Sequence, residues 1–245
     1  MLLRELAWAG ALRVGVPVDC GGQGGTLAEA LDVVASVAQD SVSKALVLAS
    51  QRLLIEAVVH AQNVAIRDYH LPALLAGEIG GSCAASWPLQ ADVTPLAARN
   101  TGRGWRMSGR LPAIPNLDAP WFLLTLPVSF GLGRTYSLVM LRSEEDGLRF
   151  YDAGEHGSAL ELANVFLRED EILSSDGPAA VAHLARFSSG LQAAALAGVR
   201  RGVGSSDTAG AASDAEALFA ERRAGFAARS QSGCWVCEPA RSATC

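Results

Sequence analysis

The apolar residues of the first 78 positions recur every three or four residues, which is the period of an α-helix. The glycine-rich run GGQGG at 21–25 interrupts this pattern. Thr26 then stands three residues before Glu29. This is the spacing of a capping box, in which each side chain satisfies a free N–H group of the first helical turn. The pattern therefore predicts a helix that begins after Thr26.

Two more helices are predicted before residue 79. Apolar residues at helical spacing predict one helix over about 43–61 and a shorter one that ends near Ala76. Gly77 follows this end, and glycine is the usual residue where a helix terminates in the left-handed conformation. Residues 1–78 are therefore predicted to form an N-terminal helical domain.

From about residue 79 the apolar period changes from near 3.6 to 2. Gly, Pro, Asn and Asp separate short runs that are rich in aromatic or β-branched residues, such as Trp121–Leu126, Thr135–Leu141 and Leu162–Leu167. This pattern is typical of a compact antiparallel sheet or barrel, so a middle β-barrel domain is predicted over 79–176. Three tryptophans are predicted to pack in its core: Trp87, Trp105 and Trp121.

Helical spacing returns near Pro178 with an apolar stripe that is rich in small residues, which indicates a tight helix–helix contact. After Gly202 the composition shifts to Gly, Ser, Ala and Asp, as in a linker or loop. The last residues show no periodicity. Residues 177–245 are therefore predicted to be a partial C-terminal helical domain with an irregular tail.

Composition and charge limit the classes of protein to which the chain can belong. Half of the 245 residues are apolar and 18% are charged, so a well-buried core is expected. The net charge of −5 argues against a nucleic-acid binder, which would show a basic patch. No window of about 18 uncharged apolar residues occurs, so a membrane-spanning helix is not expected. Five scattered cysteines make a disulfide framework improbable, and a reducing cytoplasm is the expected location.

Two local motifs have ordinary and functional interpretations. The glycines at 21–25 would allow the backbone to approach a phosphate closely. A turn between helices is the ordinary interpretation, since no clear strand precedes the run. Cys234 and Cys237 have the CxxC spacing of metal or redox sites. One such pair cannot complete a tetrahedral zinc site, so no metal site is predicted.

Histidines and serines give no catalytic arrangement along the sequence. A histidine general base needs a positioned partner. The sequence shows none for any of the four histidines, His60, His70, His156 and His183. Ser82 and Ser86 do not lie in a Gly-x-Ser-x-Gly motif, so a serine hydrolase is not supported.

Three segments, in order and at matching spacing, resemble the acyl-CoA dehydrogenase family. VPVDCGGQGGTLAEAL at 16–31 is similar to the family's Pro-Glu-x-Tyr-Gly-Gly-x-Gly segment. LPALLAGEIGGSCAASWP at 71–88 is similar to Leu-Pro-x-Leu-x-x-Gly-Glu…Thr-Glu-Pro. GWRMSGRLPAIPN at 104–116 is similar to Gly-Tyr-x-Leu-x-Gly-x-Lys-x-(Trp/Phe)-Ile-(Thr/Ser)-Asn. The resemblance covers about residues 3–202.

The resemblance implies that FAD binds along the second and third segments. Ser86 keeps a hydroxyl where the family has Thr, but Ala113 replaces the aromatic residue that packs on the flavin ring. Pro115 replaces a hydroxyl residue and lacks a backbone N–H. Asp92 stands where a family Ser contacts the pyrophosphate, and a carboxylate there costs on the order of 1 kcal/mol or more. The cofactor-binding residues implied by the resemblance are Cys83, Ala84, Ala85, Ser86, Asp92, Ala113, Ile114 and Pro115.

The family's reaction also requires a carboxylate base. In that chemistry FAD accepts a hydride from the β-carbon of an acyl thioester after a glutamate removes the α-proton. That glutamate, in the C-terminal helical domain, has no identifiable counterpart here, so the catalytic residues are unknown. Glu216 and Glu221 stand in EALFAERR, which is typical of a solvated helix face.

The fold class predicted is therefore α+β, with an N-terminal helical region, a central antiparallel β-barrel and a shortened C-terminal helical region. The predicted function is that of an acyl-CoA dehydrogenase-like flavoprotein of fatty acid metabolism, which acts on the CH–CH group of an acyl thioester. Two alternatives stay open: a truncated or degenerate non-catalytic relative, and a flavin-dependent monooxygenase of the same fold. The expected partners are an acyl-CoA-type small molecule and, if the C-terminal region is ordered, further copies of the chain. Neither nucleic acid nor a membrane is expected.

Overall fold

A computed structural model describes residues 2–83, 95–111, 116, 121–131, 135–152 and 158–202 of the chain. Five α-helices lie in this part of the chain: α1 Leu2–Trp8, α2 Leu27–Asp40, α3 Val42–Val59, α4 Val64–Leu75 and α5 Gly177–Gly202. Eight strands lie between α4 and α5: β1 Gly80–Cys83, β2 Leu96–Asn100, β3 Trp105–Leu111, β4 Phe122–Ser129, β5 Ser137–Arg142, β6 Leu148–Asp152, β7 Ser158–Leu167 and β8 Ile172–Ser174.

The ends of the first long helices follow local sequence signals. The side chain of Thr26 accepts a hydrogen bond from the Glu29 amide and the Glu29 carboxylate accepts one from the Thr26 amide, so the predicted capping box is confirmed. The Ser41 side chain caps α3 by accepting from the Lys44 amide. At the end of α4, Gly77 adopts a φ of +66°, the left-handed conformation predicted for it.

The helix α5 packs across α2 and α3, and small residues set how closely it approaches. Gly198 lies on α5 where a Cβ atom would overlap the carbonyl oxygen of Ala35 in α2. The tight helix–helix contact that the small-residue stripe predicted is therefore confirmed. Together with α1 and α4 these helices enclose one continuous apolar core.

The sheet has the strand order β6-β7-β3-β2-β4-β5-β8, and β1 also pairs with β4. The predicted sheet between two helical regions is found, but it is mixed, because β1 and β2 both run parallel to β4. The other five pairs are antiparallel. An alternating apolar pattern predicts a strand but carries no information about the direction of its partner, which explains the difference. No pairing between β6 and β8 occurs among the described strands.

The strands β4 and β5 separate two apolar cores. In β4, Leu123 belongs to the helical core, whereas Leu124 and Leu126 belong to a second core inside the sheet. In β5, Leu138 and Met140 face the helices and the alternate residues Val139 and Leu141 face the second core. Both strands are buried over nearly their whole length, because apolar layers cover both of their faces.

The tryptophans follow the prediction only in part. Trp105 is partly buried and packs on Phe130, with ring centroids 4.8 Å apart. Trp121 is 53% exposed, so its predicted place in the barrel core is wrong. It precedes β4 by one residue, and the core positions of that strand begin at Phe122. Trp87 lies outside the described residues.

The contact of α5 with α2 predicts opposite effects for two glycine-to-alanine substitutions on the same helix. Gly198→Ala should lower the free energy of unfolding by about 1–3 kcal/mol, because the new methyl group has no space. Gly190→Ala is the matched control, since its methyl group would meet Leu31 at 3.4 Å and alanine favours the helix by roughly 0.5–1 kcal/mol. Urea unfolding followed by circular dichroism measures both. Equal stabilities for the two variants would contradict this packing.

Candidate functional site

The strand β1 packs directly on α3. At Gly81 a Cβ atom would overlap the side chain of Leu54, so only glycine allows this approach. The Ser50 side chain of α3 lies 3.0 Å from the Ser82 hydroxyl, and both residues are buried. Cys83 at the end of β1 is 3% exposed, and its sulfur accepts a hydrogen bond of 2.8 Å from Thr125 of β4. The end of β1 is thus fixed between α3 and β4.

Two amide side chains continue this polar arrangement. Gln51 is fully buried, and its Nε2 donates to the carbonyl oxygens of Leu74 and Ile79 at 3.1 and 3.0 Å. Asn116 Nδ2 donates to Gln51 Oε1 and to the Gly81 carbonyl oxygen, each at 2.9 Å. Asn116 has a φ of +63°, a conformation that asparagine tolerates better than most residues. These bonds hold Asn116 against the backbone of β1.

One of the predicted cofactor-binding residues belongs to this part of the structure. Cys83 is described and buried. The other seven, Ala84, Ala85, Ser86, Asp92, Ala113, Ile114 and Pro115, lie outside the described residues. Asn116 directly follows Pro115, and its hydrogen bond reaches Gly81, two residues before Cys83. The chain therefore brings together the ends of the two segments to which the family resemblance assigns FAD binding.

Arg52 lies one residue beyond Gln51 and connects α3 to the segment that precedes α2. It is 2% exposed and donates to the Leu12 carbonyl oxygen at 2.7 Å. Burial lowers the pKa of Arg52 to about 10, and the nearby Glu56 carboxylate opposes this shift. Three consecutive buried polar residues, Ser50 to Arg52, therefore lie in the middle of α3. The apolar pattern of the sequence did not indicate them.

The glycine-rich run at 21–25 uses its backbone donors internally. The amides of Gly21, Gly22, Gln23 and Gly24 donate to carbonyl oxygens of residues 13–18 at 2.8–3.0 Å. These donors are therefore not directed at a ligand, which favours the ordinary interpretation of the run as a turn between helices. Arg13 closes the turn by donating to the Gly21 carbonyl oxygen at 2.6 Å.

Two of the histidines have a partner that sequence reasoning missed. His183 Nε2 of α5 lies 2.7 Å from Glu56 Oε1 of α3, and the His60 ring stacks on that of His183. The expectation that they lack a partner is therefore wrong, because the contact joins residues 127 positions apart. The spacing of Glu56 and His60, one helical turn apart, was the only local signal. Glu216, Glu221, Cys234 and Cys237 lie outside the described residues.

The architecture is similar to that of solved acyl-CoA dehydrogenases. The glutaryl-coenzyme A dehydrogenase–glutaryl-CoA complex matches with a TM-score of 0.71 at 20% identity, over 81% of this chain and 55% of that one. Butyryl-CoA dehydrogenase from Megasphaera elsdenii matches with a TM-score of 0.69 at 16% identity, over 92% and 67% of the two chains. PigA with FAD and proline matches with a TM-score of 0.70 at 16% identity, over 81% and 56%.

The chain has the acyl-CoA dehydrogenase fold. The resemblance inferred from the three sequence segments is therefore confirmed at the level of the fold. The chain spans a little over half the length of glutaryl-coenzyme A dehydrogenase. Its amino-acid sequence matches no protein-family model and no curated protein. None of the described helices combines the length and the apolarity needed to cross a membrane.

From the hydrogen bonds around β1 we expect that removing the Gln51 amide strongly lowers the free energy of unfolding. Gln51→Leu removes the hydrogen bonds to the carbonyl oxygens of Leu74 and Ile79 and the acceptor of one Asn116 amide hydrogen, and a buried group left unsatisfied costs roughly 1–3 kcal/mol. Gln39→Leu is the same substitution at an exposed position of α2 and should change stability by less than about 0.5 kcal/mol. Thermal and urea unfolding of both variants tests this. Similar stabilities would show that the network does not hold β1.

Proposed function

We propose that the chain forms the FAD-contacting part of an acyl-CoA dehydrogenase-like flavoprotein. The observation that supports the proposal is the hydrogen bond from Asn116, the residue that follows 113–115, to the carbonyl oxygen of Gly81 in β1, the strand that precedes 84–86. FAD would lie against Cys83–Ser86 and Ala113–Pro115, the segments that the family resemblance assigns to the cofactor. Its substrate class would be an acyl-CoA thioester, as the glutaryl-CoA complex of a protein with the same fold suggests.

The described residues are better suited to holding the FAD-binding segments in place than to contacting FAD themselves. Both donor hydrogens of Gln51 and of Asn116 are already used within the protein. Among the described residues, the buried side-chain atom without a hydrogen-bond partner is His70 Nδ1, which lies on α4. Direct contacts with FAD would therefore be made by residues 84–86 and 113–115, among which Ser86 would supply one hydroxyl.

The chemistry of those contact residues argues for weak binding. Ala113 offers no aromatic surface to a flavin ring, and Pro115 offers no backbone N–H. Asp92 brings a negative charge to the position that the family resemblance assigns to the pyrophosphate, which carries negative charge as well. When bound, FAD would supply the redox step. The part of this chain is to hold and orient it, since no carboxylate of the chain is assigned as the α-proton base.

We expect FAD to bind the purified chain more weakly than the nanomolar range. Asp92→Ser removes the repulsion with the pyrophosphate and should tighten binding roughly fivefold, the equivalent of about 1 kcal/mol. Asp32→Ser removes the same charge from an exposed position of α2 and should leave the affinity unchanged. Titration of FAD, followed by its fluorescence, measures the three dissociation constants.

Two results of that titration would oppose the proposal. Nanomolar affinity for the unmodified chain would contradict the weak site. Equal affinities for Asp92→Ser and the unmodified chain would remove Asp92 from the pyrophosphate position. A purified chain that is strongly yellow without added FAD would give the first result before any titration.

The chain is also expected not to oxidise acyl-CoA thioesters by itself. The loss of a general base typically lowers a rate by about 10²–10⁴-fold. Reduction of an electron acceptor, measured with added FAD and a panel of acyl-CoA thioesters, should stay far below ordinary turnover of about 1–10³ per second. Turnover within that range would reveal an unassigned carboxylate, and Glu216→Gln and Glu221→Gln would then be the first two variants to assay.

A further inference from the structure

Three metal-ligating side chains converge where α3 ends beside the first turns of α5. Glu56 lies in the last turn of α3, His60 is the residue that follows this helix, and His183 comes from α5. The donor atoms of the three side chains all lie within 4.8 Å of one another. Neither the FAD site proposed above nor the contacts around β1 use any of these residues.

The hydrogen bond between Glu56 and His183 accounts for only two of the three groups. His183 Nε2 lies 2.7 Å from Glu56 Oε1, but His60 Nε2 lies 3.7 Å from the same oxygen, too far for a hydrogen bond. The His60 ring instead stacks on that of His183, with centroids 4.5 Å apart and an angle of 21° between the planes. Both imidazoles therefore present a nitrogen to one carboxylate oxygen.

These distances are close to those of a zinc site. Zinc binds imidazole nitrogen and carboxylate oxygen at about 2.0–2.2 Å, so two donors on a tetrahedral ion lie about 3.3 Å apart. The observed separations of 2.7 and 3.7 Å lie on either side of that value. The donor nitrogens of the two histidines lie within 4.8 Å of each other. The side chains of His60 and His183 are 53% and 37% exposed, so the core encloses neither ring, and both would rotate to bring their nitrogens to the ion.

We propose that Glu56, His60 and His183 bind a divalent transition-metal ion of the zinc type. Two imidazoles and one carboxylate suit Zn²⁺ and Co²⁺, whereas Mg²⁺ and Ca²⁺ prefer sites made of oxygen alone. The three protein ligands leave a fourth position for water, as in zinc sites that have two histidines and one glutamate.

An ion at this position would connect two elements that otherwise meet through apolar contacts and the Glu56–His183 hydrogen bond. Glu56 belongs to α3, His60 caps the C-terminal end of that helix and His183 belongs to α5, so the ion would link α3 to α5. His60 and His183 also line a cavity of about 220 Å³, whose other walls include Leu138, Leu173 and Leu184. Binding would therefore stabilise the fold by an amount that rises with the logarithm of the free metal concentration once that concentration exceeds the dissociation constant.

The test is metal binding by the full chain, purified without a histidine tag. Cys234 and Cys237 are replaced by serine throughout, so that they cannot compete for the ion. Unfolding temperatures are measured with EDTA, Zn²⁺ and Mg²⁺, and Co²⁺ absorption is recorded. We expect Zn²⁺ but not Mg²⁺ to raise the unfolding temperature. Co²⁺ should give visible d–d bands without a thiolate charge-transfer band.

Single substitutions test which side chains bind the metal ion. His60→Asn and His183→Asn should each weaken Zn²⁺ and Co²⁺ binding by at least about tenfold. Asp32→Asn, at an exposed carboxylate of α2, should leave binding unchanged. Because Glu56 lies near the buried Arg52, Glu56→Gln also alters the charge balance inside the protein, and the half-exposed His60 gives the cleaner assignment.

Two results would overturn the proposal. The first is the absence of a Zn²⁺-dependent change in unfolding temperature together with the absence of Co²⁺ bands. The second is unchanged Co²⁺ binding when both His60 and His183 are asparagine. Equal unfolding temperatures of the single variants in EDTA would confirm that loss of binding is not loss of folding.

Discussion

The close packing of β1 on α3 is the constraint on which the rest of this structure depends. Twelve of the eighteen residues of α3 are buried, and a helix that is buried nearly all round belongs to the interior of a domain. The absence of a side chain at Gly81 allows the β1 backbone to reach Leu54. That approach lets the side chains of α3 bond to backbone groups of the strand. The contact between α3 and β1 therefore fixes the position of the sheet relative to the helices.

The polar groups of α3 follow from this burial. A helix in the interior can carry Ser50, Gln51 and Arg52 only if each finds a partner, because a buried unsatisfied polar group is costly. Their partners are backbone oxygens of β1, of the end of α4 and of the segment before α2. One short stretch of α3 thus determines where three other parts of the chain lie. Further along the same helix, Glu56 contacts His183 of α5, and His60, which caps the helix, stacks on the same ring.

Sequence reasoning succeeded where the signal was local. The capping box at Thr26 and Glu29, the left-handed Gly77 and the change of apolar period near residue 79 each involve only a few neighbouring residues. It failed where the information is distributed along the chain. The parallel pairing of β1 with β4 and the contact of His183 with Glu56 depend on residues 42 and 127 positions apart. The buried polar residues of α3 were hidden because a polar residue in a helical pattern is normally assigned to the surface.

The packing of α5 on α2 has a consequence for how the chain folds during synthesis. The apolar face of α2 is covered by a helix that begins at Gly177, after all eight strands have been made. Ribosomes add about 5–20 residues per second, so α5 is synthesised on the order of ten seconds after α2. Contacts between such distant segments also slow folding. The nascent chain therefore exposes the face of α2 that α5 later covers throughout the synthesis of the sheet.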